Sequence, residues 1–252
     1  MKAFVINLRT NPERRAFMEE QLGRLGIEHE FLDAFAGSEY FSDPRWHDPE
    51  RSRREISREL RPGEVGCALS HAFAYKLMAE RGLPWAFVLE DDALLHDDVP
   101  AVLKALEEGV LEQGDLVFLE RCDYVLPGSS RRLYGKYRIA RPVFVKIGSV
   151  AQAAGYVVTL EAARRMMGAN VPVHVPADAW GFYKGLVRFR GVTPTLTLVR
   201  QRVDFGSTTL AGGARAEFRR FNLLILLAYG FFMYTGMGKA MRRALKKRGL
   251  MR

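Results

Sequence analysis

Cysteine is scarce: the 252 residues hold two, Cys67 and Cys122. Two thiols make no disulfide framework, so the fold has to rest on a buried core. Cys67 falls in a helical pattern and reads as a small buried residue rather than a nucleophile. Internal repeats and low-complexity tracts are missing, which argues against repeat architectures and disordered linkers. No leader precedes the first apolar run, Phe4 to Leu8, so the chain is expected to stay in the cytoplasm. Most of the chain also lacks any excess of charge. Residues 215–252 hold ten Lys and Arg against one acid, Glu217, and the remainder balances at 28 of each sign. The net charge of +9 therefore belongs to the tail. Nucleic-acid binders spread bases over a docking face or carry a recognised motif. Neither is visible, so no nucleic-acid partner is expected.

The chain is long enough for one domain with a substantial core, and 48% of its residues are apolar. Phe4 to Ile6 reads as a strand. Thr10-Asn11-Pro12-Glu13 opens a helix with a capping-box pattern and an early Pro. Phe17, Met18, Gln21, Leu22 and Leu25 continue it at helical spacing, and Gly26 stops it. His29 to Phe35 is the second strand. Residues 38–61 read as a mobile loop with a short helix, and 64–81 as a helix ended by Gly82. Trp85 to Leu89 is an apolar strand; a helix at 98–112 and a strand at 116–119 follow. Arg121 to Val143 is loop-rich. A strand at 156–159 leads into a helix at 160–167, and the chain beyond Asn170 is less regular. Such alternation predicts a mainly parallel α/β sheet flanked by helices.

Glu90-Asp91-Asp92 directly follows the Trp85–Leu89 strand. Clustered carboxylates repel one another and lose hydration unless a positive group sits among them. A divalent metal on a phosphate-bearing substrate is a common remedy, and open α/β sheets bind ligands outside the carboxyl ends of their strands. The bland alternative is a solvated strand end.

Context favours the ligand site. Leu60-Arg61-Pro62-Gly63-Glu64-Val65-Gly66-Cys67-Ala68-Leu69-Ser70-His71 precedes the strand. Phe4 to Leu8, Pro12-Glu13-Arg14-Arg15 and Phe31-Leu32-Asp33-Ala34 open the chain. Together with the acids, these segments resemble glycosyltransferase family 25, of the lipooligosaccharide galactosyltransferase type. The resemblance is close over residues 1–95 and looser beyond, through Ala154 to Val158, Pro176-Ala177-Asp178 and Arg200-Gln201. It implies a GT-A-like (Rossmann-like) domain, here bounded at 1–213. It also implies a UDP-sugar donor, an inverting transfer and a lipid-linked oligosaccharide acceptor.

The residues are consistent with that chemistry. Asp92 is the expected direct ligand of Mn2+ or Mg2+, with Asp91 closer to the sugar and nucleotide. Glu90 is a further ligand or orients one. Asn7 and Leu8 match the family motif at the turn after the first strand, where a nucleotide sits in such sheets. Arg14 is placed on phosphate, or else on a solvated helix face with Arg15. Asp33 is set to accept from uracil or ribose, or to form a turn. Ser70 and His71 share the motif helix, and His71 is a ligand or a packed, hydrogen-bonded residue. Gly63 and Gly66 either meet an anion or permit close packing. Asp178 matches a Pro-x-Asp element and is the candidate general base, with Glu120 and Asp123 as rivals.

The tail, residues 214–252, contains an uncharged 18-residue stretch, Phe221 to Gly238. Bases flank it on both sides, which suits a basic amphipathic helix lying on an anionic membrane surface. Packing on the domain and crossing the membrane are the alternatives. The expected location is cytoplasmic, peripherally associated with the inner membrane. A metal-dependent phosphohydrolase or nuclease, or a non-catalytic membrane-surface binding protein, are the competing functions.

Overall fold

The structure, a computed structural model, describes residues 1–120, 122, 125–143, 153–193 and 199–201. The 214–252 tail and Asp123 lie outside the described residues. Among the described residues, no helix is long and apolar enough to cross a membrane.

The elements in chain order are β1 (Ala3–Asn7), α1 (Pro12–Arg24), β2 (His29–Asp33), α2 (Gly37–Tyr40), α3 (Pro49–Ile56), α4 (Pro62–Glu80), β3 (Trp85–Glu90), β4 (Ala93–Leu95), α5 (Val99–Glu107), β5 (Asp115–Phe118), β6 (Arg131–Tyr134), β7 (Tyr137–Ala140), β8 (Gly155–Thr159), α6 (Leu160–Asn170), β9 (Arg188–Thr193) and β10 (Val199–Gln201). Eight strands form one sheet in the order β2-β1-β3-β8-β5-β9-β7-β6, and β10 pairs with β4. β1 lies parallel to β2 and β3. β8 runs antiparallel between β3 and β5, which leaves those two strands pointing the same way. β9 is parallel to β5, β7 reverses, and β6 turns back. β7 and β8 alone oppose the common direction in this sheet. The result is an α/β, Rossmann-like sheet.

Helices cover both faces. Ala3 and Val5 of β1 and Phe87 and Leu89 of β3 pack with Met18 and Leu22 of α1 and with Leu103 and Leu106 of α5. Phe4, Ile6 and Val88 point the other way and meet Ala74 and Met78 of α4 and Ala163 and Met166 of α6. Each fully buried large apolar side chain contributes about 1.5–3 kcal/mol. Burial on both sides explains why β1 and β3 read as unbroken apolar runs rather than as alternations.

Several local expectations change. Asn11, at the start of α1, makes no side-chain cap bond, so the capping box expected there does not form. A closure of that kind stands at α4 instead, where Glu64 Oε2 accepts from the Arg61 backbone N–H at 2.8 Å. Residues 38–61 hold the end of α2 and all of α3 rather than one short helix in a loop. Asp48 caps α3 by accepting from Arg51 N–H at 2.9 Å. The stretch 121–143 contains the β6–β7 hairpin, and the chain beyond Asn170 supplies β9.

α2 packs on the start of α4 through two glycines. A Cβ on Gly37 would lie 1.6 Å from the Pro62 carbonyl oxygen, and one on Gly66 would lie 2.4 Å from that of Phe35. Close packing, one of the two roles open to Gly66 from sequence, is therefore the role it has. Gly37→Ala forces backbone apart, an overpacking defect that costs about 1–3 kcal/mol. Its urea midpoint should fall accordingly; an unchanged midpoint would mean that α2 is not fixed to α4.

Candidate active site

Sheet direction decides what meets. β1, β2, β3 and β5 end at the same edge, and antiparallel β8 begins there. Asn7, Asp33, Glu90 and Glu120 lie at or just past those strand ends. A cleft of about 1100 Å³ opens along this edge. Its lining includes Arg14, Asp33, His71, the three acids and Asp178. Residues as far apart in sequence as Ile6 and Asp178 thus share one space.

The acids are held from the α1 side. Arg14 is buried, and its Nη1 donates to Asp91 Oδ1 at 2.7 Å. The same nitrogen lies 3.5 Å from Asp92 Oδ2. Asn7 Nδ2 donates to Asp91 Oδ2 at 2.8 Å. Both Asp91 oxygens therefore have protein donors, and the carboxylate is fixed in place. One helical turn pair further on, Gln21 Nε2 donates to Ala93 O at 2.9 Å while its Oε1 accepts from Leu95 N–H at 2.8 Å. Gln21 ties the chain just after the acids to α1. Sequence reasoning placed Gln21 only in a helical pattern; its polarity on the buried face was the available signal. Arg15 turns outward, with its guanidinium 4.1 Å from the centre of the Phe31 ring.

A second group stands on α4. His71 is 2% exposed, and Tyr156 Oη lies 2.7 Å from its Nδ1. Tyr156 and Tyr75 share a 2.6 Å hydroxyl contact. His71 Nε2 faces Glu90 Oε1 at 3.5 Å. Ser70 donates to Gly66 O at 2.7 Å and accepts from Phe35 N–H at 2.9 Å, so its hydroxyl joins α4 to the chain after β2. Leu8 lines the cleft, and its carbonyl accepts from Asn11 N–H at 2.9 Å. Asp33 is exposed and pairs with Arg9 Nη2 at 2.5 Å; that hydrogen bond holds its carboxyl below the usual range.

Two carboxyls are pushed the other way. Asp178 keeps exposed surface on the cleft wall, yet loss of surrounding water and then the Glu90 charge raise its carboxyl. Glu120 is 4% exposed, and its Oε1 has no hydrogen-bond partner among the described residues. Burial, followed by Glu90, raises its carboxyl well above the usual value, against a hydrogen bond from the Ala154 backbone. A folded chain that holds such a proton more tightly than the unfolded one loses stability as pH rises through that range. Glu120→Gln removes this loss. The variant should match its parent near about pH 4 and exceed it progressively toward neutrality in urea unfolding. A gap that does not widen with pH would mean that Glu120 ionises without strain.

The carboxyl edge of this α/β sheet carries an acidic cleft, at the place where open α/β sheets bind ligands. The chain belongs to glycosyltransferase family 25 (LPS biosynthesis protein), whose model matches residues 1–180. Three relatives show the range. A probable inactive glycosyltransferase 25 family member 3 of Rattus norvegicus is 31% identical over 70% of this chain and 32% of its own length. Lacto-N-neotetraose biosynthesis glycosyltransferase LgtB of Neisseria meningitidis is 34% identical over 38% of this chain and 34% of its own length. Procollagen galactosyltransferase 2 of Homo sapiens is 27% identical over 66% of this chain and 27% of its own length. The chain thus spans between about a quarter and a third of each of these relatives. Family membership supports a glycosyltransferase.

Proposed function

We propose that this chain transfers a hexose, galactose from UDP-galactose, to a sugar of a lipooligosaccharide or lipopolysaccharide core. One observation carries the reading: a single cleft is lined by Asp33, Arg14, Glu90, Asp91, Asp92 and Asp178. The names of the bacterial relatives, lacto-N-neotetraose biosynthesis glycosyltransferases, support an oligosaccharide acceptor, and the family description, LPS biosynthesis protein, supports a lipid-linked one. An aromatic wall stands beside Asp33, where Phe35 meets Tyr40 and Phe73 edge-on at 5.0 and 5.7 Å. That wall suits a nucleobase, with Asp33 accepting from uracil or ribose.

Asp91 and Asp92 offer hard carboxylate oxygens on the cleft, a donor set that fits Mn2+ or Mg2+. Asp92 would bind the cation directly, Glu90 would help to orient it, and a cation held there neutralises charge on a departing diphosphate. Arg14 fixes Asp91 and adds a permanent positive charge beside the phosphates. Asp178 takes the proton from the acceptor hydroxyl as that oxygen attacks the sugar, which gives inversion. A carboxylate with raised affinity for protons is suited to that step. His71 supports the wall through Tyr156. The basic tail, 214–252, would hold the chain on the cytoplasmic face of the inner membrane beside its acceptor.

A thermal-shift titration tests the donor site. UDP with Mn2+ should raise the melting temperature more than the sum of either alone, because each ligand binds only the folded chain. UDP-galactose should then lose its galactose only when acceptor is present. Release of free galactose without acceptor would favour a hydrolase, and no shift with UDP and Mn2+ would remove the nucleotide site.

A further inference from the structure

We infer that Cys67, His71 and Glu90 form a site for one thiophilic divalent cation, Zn2+ above all, separate from the Asp91–Asp92 pair. Cys67 and His71 stand one turn apart on α4, on the same helix face. Glu90 ends β3 opposite them. One ligand atom from each of the three lies within 4.8 Å of the other two. Glu90 Oε1 is 3.7 Å from Cys67 Sγ and 3.5 Å from His71 Nε2. Ligands bound tetrahedrally to zinc at its usual bond lengths stand about 3.3–3.7 Å apart.

The second observation is His71 itself. Its Nε2 is buried and makes no hydrogen bond among the described residues, and it points at Glu90. A buried, unpartnered ring nitrogen costs free energy unless something uses it. Its Nδ1 already meets Tyr156 Oη at 2.7 Å, and Tyr156 is in turn joined to Tyr75. When Nδ1–H donates to Tyr156, Nε2 presents a lone pair to the cluster. Outer-sphere partners of this kind fix the tautomer of metal-binding histidines.

The three atoms differ in character from the neighbouring acids. Sulfur and imidazole select zinc over magnesium or manganese, whereas paired carboxylates favour the harder ions. Cys67 lines the cleft, so a cation can enter from it. On binding, the thiol gives its proton to solvent and the thiolate takes its place on the metal. Asp178 lies near enough to act electrostatically on both Cys67 and His71. A cation here ties α4 to the end of β3 and stiffens one wall of the cleft.

Cobalt(II) tests this in the full chain, without donor or acceptor, because it takes zinc sites and absorbs light. One equivalent per chain should give a thiolate-to-cobalt charge-transfer band that Zn2+ abolishes. Cys67→Ser should lose the band. Glu90→Gln, which leaves the thiol in place, should weaken binding by at least the roughly tenfold that loss of an outer partner costs. Asp92→Asn should keep the band. Thermal unfolding without metal checks that each variant folds, and Glu90→Gln decides the matter if Cys67→Ser does not. No band in the parent, a band surviving in Cys67→Ser, unchanged affinity in Glu90→Gln, or a band lost in Asp92→Asn would overturn the site. Because the readout is binding, its failure leaves the transferase reading standing. Loss of transfer would likewise leave the cation site standing.

Discussion

Arg14→Met should lower the free energy of unfolding by about 3–5 kcal/mol, the cost of removing one partner from a buried ion pair. Arg14 and Asp91 are both nearly covered, and their contact is 2.7 Å. Methionine fills similar space but leaves Asp91 and Asp92 side by side without that charge. Mn2+ should then raise the melting temperature of the variant more than that of the parent, because the cation replaces the lost charge. Urea unfolding with and without Mn2+ measures both effects. Arg9→Met is the control: the Arg9–Asp33 pair is solvent-exposed, and such pairs stabilise little. Its midpoint should hardly move. If Arg14→Met were as stable as Arg9→Met, Arg14 would not be what holds the acids together.

Asp178→Asn should slow transfer by about 10²–10⁴-fold, the usual contribution of a general base. The amide keeps the shape and loses the ability to take a proton, so unfolding should change little. A pH profile separates this from a structural role. A general base works only when deprotonated, and loss of surrounding water with the Glu90 charge lifts the Asp178 carboxyl above its ordinary value. Activity of the parent should therefore fail on acidification earlier than an ordinary aspartate near about 3.9 would allow. The variant's residual activity should lack that acid limb. Full turnover by Asp178→Asn would move the role to another carboxyl, with Glu120 first among those described.

Much of this was legible from local sequence. The strands β1, β2, β3 and β8 and the helices α1, α4 and α6 follow from apolar runs, helical spacing and Gly or Pro punctuation. The acid triplet announced itself by standing after a buried strand. Its partners did not, because the Arg14–Asp91 contact joins residues 77 apart and the Gln21–Ala93 bond spans 72. An arginine on a helix looks the same in sequence whether it faces water or a carboxylate. The β6–β7 hairpin was hidden for another reason. β6 has no buried residue, so its Arg-rich text lacks the alternation that marks a half-buried strand. The direction of β8 was also out of reach: Gly155 to Thr159 is buried throughout, and a strand covered on both faces reads the same in either orientation. α2 depends on Gly37 meeting Gly66, which no short window contains.

The grip of Arg14 on Asp91 bears on how this family diverges. A chain that stops transferring sugar is no longer selected for its chemistry, yet it is still selected to fold. Asp178 lies on the cleft wall with exposed surface, so drift can replace it at little cost. Asn7, Arg14 and Asp91 are cross-bonded beneath the surface, and losing any one of them strands the others. Descendants that have fallen silent should therefore keep the acids and lose Asp178. Relatives named inactive offer a natural place to look for that order of decay.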